Sequence, residues 1–133
     1  MTPMEVAEAF AAAINAGDVE AMGTLMTPDH IFVDADGSEH GGRDKMKPGW
    51  REYFDMVPDF QIEIVDRFAA NGLVVFLGRA SGTFVQDGEL KPENHWCVPA
   101  AWRVIVDSQR VAVWQLYASQ EIMRQILERI RAV

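Results

Sequence analysis

The 133-residue sequence has little cysteine, few basic side chains and no long apolar run, and each of these shortages argues against certain classes of protein. Cys97 is the sole cysteine, so no internal disulfide can form and nothing requires an oxidising compartment. Twelve Lys and Arg against 20 Asp and Glu give a net charge of −8, and such a surface repels nucleic-acid phosphates and anionic lipid. Stretches such as 73–77 are too short to span a bilayer. We therefore expect no nucleic acid and no membrane as partner.

The patterns of targeting, metal binding and phosphate binding are also missing. Segment 1–5 has no basic region followed by an apolar run, so we expect no secretory signal and a cytoplasmic location. His30, His40 and His95 form no helical pair and no local ligand cluster, which predicts no metal site. No glycine-rich phosphate loop follows a strand, and no cofactor is expected. Cys97 stands in a predicted strand without a neighbouring base and is interpreted as a buried, inert thiol.

Apolar residues are plentiful enough for one packed core. Hydrophobic residues make up 49% of the chain and charged residues 24%, the balance of an ordinary folded protein. A chain of this length is large enough for one core. We expect a single domain over residues 1–133.

Helix signals occur at both ends of the chain. Thr2, Pro3 and Glu5 form a capping-box start for a first helix, and Asp18 can cap a short second one. A third helix is predicted over 44–57, with a break or kink at Pro48–Gly49. An apolar stripe with helical spacing begins after Ser119 and predicts a C-terminal helix.

Strand signals fill the rest of the chain and determine the predicted fold class. The β-rich segments are 30–34, 60–68, 73–85, 95–106 and 111–117. Short turns join the later segments, so we expect antiparallel neighbours, with the helices gathered on one face. Internal glycines at 78 and 82 favour curvature. The prediction is an α+β fold: a cone-shaped, curved antiparallel sheet wrapped around the N-terminal helices, an internal apolar pocket and a C-terminal helix.

Four strings, in this order and spacing, carry a family resemblance. They are Asn15–Asp18, Val33–Glu39 with Gly41–Gly42, Val98–Arg103 and Trp114–Ala118. With them the chain resembles the nuclear transport factor 2-like superfamily, especially its SnoaL-like polyketide cyclase and ketosteroid isomerase branches. The resemblance covers nearly the whole chain. It implies the cone fold, and it implies no single reaction, because this fold hosts enzymes, binding proteins and transport adaptors.

The resemblance to the isomerases also places their working groups on this sequence. Their aspartate base falls on Asp34, three residues before Gly37-Ser38-Glu39. Their two oxyanion donors, a tyrosine and a neutral aspartic acid, fall on Phe10 and Ala100, which cannot donate. In many SnoaL-like proteins a carboxylate follows the last strand, and here that position is Ser119. The base position is kept while its usual partners are replaced.

Two polar residues near the first strand are candidate catalytic groups. Asp34 follows an apolar strand, where lost hydration would suit a carboxylate that shuttles protons. The alternative is an Asx turn made by Asp34 and Asp36 with Gly37. His40 could act as acid, base or donor, and the alternative is a solvated loop histidine.

The pocket walls are predicted from strand alternation and from the resemblance. On the long strand Trp96, Val98, Ala100 and Trp102 share one face. On the last strand the face assigned to the pocket carries Val113, Gln115 and Tyr117, and Phe10 and Tyr53 complete the walls from the helices. Tyr117 becomes the candidate oxyanion donor, with Gln115 or His40 in its place as alternatives. The alternative is that all these residues are ordinary core.

Three kinds of function fit this reading. The first is a cofactor-independent isomerase, cyclase or dehydratase in which Asp34 removes a proton next to a carbonyl of a small hydrophobic ligand. The second is a ligand-binding or interaction module without chemistry, which the missing donors favour. The third is a structural dimerisation domain with a filled cone. We also expect a homodimer through the outer sheet face, around Val104 or Ile105 depending on register.

Overall fold

The computed structural model describes residues 1–132, which form four α-helices and a six-stranded sheet. The helices are α1 (Pro3–Ala16), α2 (Val19–Thr24), α3 (Arg43–Met56) and α4 (Glu121–Arg131). The strands are β1 (Met26–Val33), β2 (Glu39–Gly41), β3 (Gln61–Ala70), β4 (Leu73–Thr83), β5 (His95–Asp107) and β6 (Arg110–Ala118). Among these residues, no helix is both long enough and apolar enough to cross a membrane.

The predicted α+β cone is confirmed, with one difference in strand direction. The sheet order is β2-β1-β6-β5-β4-β3, and β3 to β6 are antiparallel neighbours as expected. β1 pairs with β6 in parallel, so the prediction of a wholly antiparallel sheet is wrong at this pair. The chain passes through β2, α3 and three further strands before β6 returns beside β1, and such a crossover permits parallel pairing. The edge strand β2 was missed because its three residues are all exposed and carry no apolar alternation.

The curvature of the sheet has a local cause in β3 and β4. The pairing register shifts between Ile64 and Asp66, which leaves Val65 as a bulge. Opposite the bulge, a β-carbon built on Gly78 would lie 1.8 Å from the carbonyl oxygen of Glu63. Only glycine allows the two backbones to approach so closely. The predicted bend at Gly78 therefore marks the place where the sheet folds over the helices.

Helix α1 fills the narrow end of the cone. The Thr2 hydroxyl accepts from the Glu5 N–H at 3.1 Å, and the Glu5 carboxylate accepts from the Thr2 N–H at 2.8 Å, which confirms the predicted capping box. Val6, Phe10 and Ile14 follow at helical spacing, and all three are 0% exposed. This apolar stripe anchors the helix against the sheet.

The string Asn15–Asp18 joins α1 to the edge of the sheet. The Asn15 amide donates to the Ile62 carbonyl at 2.9 Å and accepts from the Ile62 N–H at 2.7 Å, as a neighbouring strand would. Gly17 then adopts φ +64°, a left-handed conformation that ends the helix. The Asp18 carboxylate accepts from the Ala21 N–H at 3.0 Å and starts α2. We call the two Asn15–Ile62 hydrogen bonds the Asn15 clasp.

Helix α3 continues through Pro48, so of the two predicted alternatives at Pro48–Gly49 the break is wrong. Proline removes the hydrogen bond to the carbonyl four residues earlier, here that of Asp44. Both residues are exposed, so water can satisfy that carbonyl. Met46 and Trp50 on the opposite side are buried, and their packing maintains the helix across the proline.

The register of β6 places the opposite face inward from the one predicted. Trp102 pairs with Leu116 and Val104 pairs with Trp114, so the even-numbered residues of β6 face the cone. Val113, Gln115 and Tyr117 therefore lie on the outer face, and their assignment to the pocket is wrong. Both faces of β6 carry large apolar residues, so alternation alone does not distinguish them.

Candidate functional site

A cavity of about 600 Å³ lies between α3, the inner face of the sheet and the start of α4. Its deep end consists of buried residues from β3 to β6, which we call the floor: Ile62, Ala80, Trp96, Val98, Trp102 and Trp114. Its open end carries the polar residues, which we call the mouth: Asp34, Glu39, His40, Lys45 and Gln120. The cavity is thus apolar in its depth and polar at its entrance, the arrangement of a small-molecule site.

A continuous series of aromatic rings forms one wall from mouth to floor. The ring centroids lie 5.9 Å apart between Phe32 and Trp50, 6.0 Å between Trp50 and Tyr53, 5.2 Å between Tyr53 and Phe60, and 6.0 Å between Phe60 and Trp96. Three of the four pairs, all but the last, meet edge to face, the preferred geometry of aromatic side chains. Such a wall is stiff and offers flat apolar surface to a ring-shaped ligand.

Asp34 lies at the mouth with one oxygen engaged and the other free of protein donors. Its Oδ1 accepts from the Ala35 N–H at 2.7 Å and from the Gln120 side-chain amide at 3.1 Å. No donor within residues 1–132 reaches Oδ2. The Asx turn is made by Asp36, whose Oδ1 accepts from the Ser38 N–H at 2.9 Å. The Asp34 side chain therefore takes no part in the Asx turn and lies half-buried against the cavity.

Tyr53 is the hydroxyl-bearing residue of the aromatic wall. Burial raises the pKa of its phenol, and the negative charge of Asp34 raises it further. The hydroxyl therefore stays protonated at neutral pH and can donate a hydrogen bond. Tyr53 and Asp34 together give the cavity a donor and an acceptor near its mouth.

His40 lies beside Asp34 at the mouth and is exposed. Its Nε2 is 3.1 Å from the Ser38 hydroxyl, and its ring centroid is 6.2 Å from that of Phe32. It can reach a ligand only at the entrance. Within residues 1–132, no group of three or more His, Cys, Asp or Glu side chains is placed to hold a metal ion.

Six of the predicted site residues line this cavity: Asp34, His40, Tyr53, Trp96, Val98 and Trp102. Phe10 does not line it, because it packs behind Trp114 with ring centroids 4.9 Å apart. Ala100 is buried on the same face of β5 as Val98 and Trp102 and is also absent from the lining. Tyr117 is 53% exposed on the outer face, which excludes it as a donor inside the cavity. Cys97 is exposed on β5, so the prediction of a buried thiol is wrong.

Several lining residues were not predicted from the sequence. Met46 and Trp50 were missed, although they stand at helical spacing with the predicted Tyr53 on one face of α3. The predicted break at Pro48 concealed this pattern. Gln120 contacts Asp34 across 86 positions of sequence, and no local pattern indicates such a pair. Trp114 and Leu116 were missed because the prediction placed the wrong face of β6 toward the pocket.

Comparisons with known proteins identify the family of this chain. The family model of the SnoaL-like domain matches residues 7–114, and the chain therefore belongs to the SnoaL-like domain family. No curated protein sequence matches the chain.

Solved structures reproduce the fold at low sequence identity. A candidate SnoaL-like polyketide cyclase from Shewanella denitrificans has a TM-score of 0.81 and 17% identity, over 96% of this chain and 97% of its own. An LEH-like epoxide hydrolase from M. tuberculosis has a TM-score of 0.78 and 17% identity, over 98% and 92%. IdmH, a candidate polyketide cyclase from Streptomyces antibioticus, has a TM-score of 0.77 and 18% identity, over 96% and 99%. At such identities the likeness establishes the fold alone.

Proposed function

We propose that this protein binds a small hydrophobic carbonyl compound and catalyses a cofactor-independent proton transfer, as an isomerase, cyclase or dehydratase does. The observation that carries the proposal is the Asp34 carboxylate, half-buried at the mouth of an aromatic cavity with only Oδ1 engaged by protein donors. A carboxylate held in this way can accept a proton from a bound ligand. The cyclase names of two structural neighbours are consistent with such chemistry.

The proposed step uses Asp34 and Tyr53. The apolar body of the substrate rests on the floor, and its carbonyl group lies near the mouth. Asp34 Oδ2 takes a proton from the carbon next to the carbonyl, and the electron pair of that C–H bond forms an enolate. Tyr53 donates a hydrogen bond to the enolate oxygen, in the role first assigned to Tyr117. Return of the proton to another carbon completes an isomerisation, and His40 is the second candidate acid at the entrance.

5-Nitrobenzisoxazole tests this capacity without knowledge of the natural substrate. A base removes its ring C–H proton, and the electron pair of that bond forms the C≡N bond of a nitrile. The N–O bond breaks at the same time, and its electron pair stays on oxygen as a coloured phenolate, so the probe demands both a base and a stabilised oxyanion. We expect turnover by the wild type and its loss in Asp34→Asn, which keeps size and polarity but removes the base. His40→Ala is the matched comparison at the mouth. Full activity of Asp34→Asn would overturn the assignment of the base.

A second candidate is a binding module without chemistry. It is favoured by Phe10 and Ala100, apolar residues at the positions where the isomerases carry their oxyanion donors. Under this alternative, apolar ring compounds quench the fluorescence of Trp96 and Trp102 on binding, and neither wild type nor Asp34→Asn turns over the probe. The same two proteins therefore discriminate between the candidates.

We further propose that two copies associate through the outer face of the sheet. Leu77, Ala101 and Tyr117 stand side by side across β4, β5 and β6, with Leu77 39% and Tyr117 53% exposed. Ile105 lies on this face, whereas Val104 is fully buried inside the cone. Such an apolar row is best covered by a second copy of itself.

Light scattering at micromolar protein tests this association. We expect the mass of a dimer for the wild type and of a monomer for Leu77→Asp, because a charge in an apolar interface is costly. Ile122→Asp on α4 introduces the same charge away from the outer sheet face and should remain a dimer. A monomeric wild type would overturn this part of the proposal.

A further inference from the structure

The side chain of Gln120 links the C-terminal part of the chain to the Asp34 carboxylate. Gln120 immediately precedes α4, and its amide donates to Asp34 Oδ1 at 3.1 Å. The Ala35 N–H donates to the same oxygen at 2.7 Å. Two donors on one oxygen fix the rotation of the carboxylate, because each constrains the direction in which Oδ1 points. The other oxygen is then held in one orientation at the mouth.

Helix α4 itself is held in place at both of its ends. Met123 lines the cavity one turn after Gln120, and Ile126 is only 3% exposed. At the far end Arg129 donates to the Asn94 side-chain oxygen at 3.1 Å, in the turn before β5, and also to the Glu93 carbonyl. The position of Gln120 is therefore set by a packed and anchored helix, not by a free tail.

We propose that Gln120 is a positioning residue that orients Asp34 for proton transfer. The inference rests on the proposed function, since it takes Asp34 as the proton acceptor. A base must be held close to its productive orientation, because small misplacements reduce the rate strongly. Gln120 supplies one of the two hydrogen bonds that hold Asp34 Oδ1, and it does so without contacting the reacting atoms.

Two substitutions test the role with 5-nitrobenzisoxazole as the probe. Gln120→Ala removes the donor, and we expect kcat to fall roughly tenfold to a hundredfold while KM changes little. Gln120→Glu places a second carboxyl against Asp34, and like charges oppose ionisation. We expect the acidic limb of its pH–rate profile to move upward by about one unit. This shift tests whether side chain 120 lies against the group that takes the proton, and an unmoved limb would overturn that contact.

Two controls on the same helix separate positioning from loosening of α4. Arg129→Ala removes the far anchor without touching Asp34, and Gln125→Ala removes an exposed amide that bonds only to Glu121 in the described chain. Both should keep the wild-type kcat and acidic limb. If Arg129→Ala reproduces the effects of Gln120→Ala, the helix matters and the Gln120 contact does not.

The outcomes also distinguish this inference from the proposal beneath it. Loss of turnover in Asp34→Asn together with wild-type behaviour of Gln120→Ala and Gln120→Glu overturns only the role of Gln120. Full activity of Asp34→Asn, or an inactive wild type, overturns the proposed proton transfer and this inference with it. Loss of turnover in Asp34→Asn, a lower kcat in Gln120→Ala and a shifted acidic limb in Gln120→Glu together support the proposed proton transfer and the role of Gln120.

Discussion

The floor and the mouth of the cavity are built on different principles. Floor residues come from four neighbouring strands whose hydrogen-bonded register fixes each side chain, and Trp102 and Trp114 are 2% and 1% exposed. The mouth comes from the segment 34–45 and from Gln120, where single hydrogen bonds such as Gln120–Asp34 set the geometry. Stability is therefore concentrated in the floor, whereas chemistry is concentrated in the mouth.

The sharpest test of this contrast is Trp102→Ala. Its side chain is almost fully buried, so its removal leaves a large void, and we expect the free energy of unfolding to fall by about 3–5 kcal/mol. Arg103→Ala, the next residue and exposed on the outer face, should change it by less than about 0.5 kcal/mol. Urea titration measures both. Equal losses would show that the floor is no more tightly packed than the outside.

His30 in β1 and His40 in β2 give a second comparison, in the dependence of the free energy of unfolding on pH. His30 is 0% exposed behind the floor, and its Nδ1–H donates to the Val111 carbonyl at 2.8 Å, while Nε2 finds no partner within residues 1–132. Burial lowers the pKa of His30 in the folded state, although the Val111 hydrogen bond and the charge of Asp29 oppose the shift. The unfolded chain then binds more protons than the folded one below about pH 6.5.

The sign of the pH effect follows from this difference. We expect the free energy of unfolding to fall as pH drops below about 6.5, by at most about 1.4 kcal/mol per pH unit, until the folded-state pKa is reached. Urea titrations across this range measure the slope. His30→Gln should flatten it, whereas His40→Ala at the mouth should leave it in place. A slope that survives His30→Gln would assign the loss to other groups.

Only a small change in stability is expected for Tyr53→Phe in the aromatic wall. The ring stays in the aromatic wall, so the free energy of unfolding should change by less than about 1 kcal/mol. The rate with 5-nitrobenzisoxazole should fall by about 10²-fold, because one donor to the developing oxyanion is lost. Thermal melts and initial rates on the same preparation measure the two effects. An unchanged rate would remove Tyr53 from the proposed mechanism.

The same contrast explains what could be predicted from the sequence. The cone, the alternating face of β5 and the cap at Thr2 follow from local periodicity and capping chemistry, which the residues display directly. The inner face of β6 does not, because apolar residues occupy both of its faces and only cross-strand register decides between them. The Asp34–Gln120 contact depends on how the last helix returns across the entrance, which is a property of the whole fold.

The close approach at Gly78 and the Asn15 clasp have a consequence for how this scaffold can diversify. The first is a contact between two backbones and the second joins the Asn15 side chain to the backbone of Ile62, and neither involves a residue of the mouth. Substitutions at the entrance can therefore accumulate without disturbing the fold. A variant with a different set of polar groups at positions 34–45 and 120 would keep the same rigid cavity. Directed evolution toward new reactions should accordingly randomise those positions and leave Gly78 and Asn15 untouched.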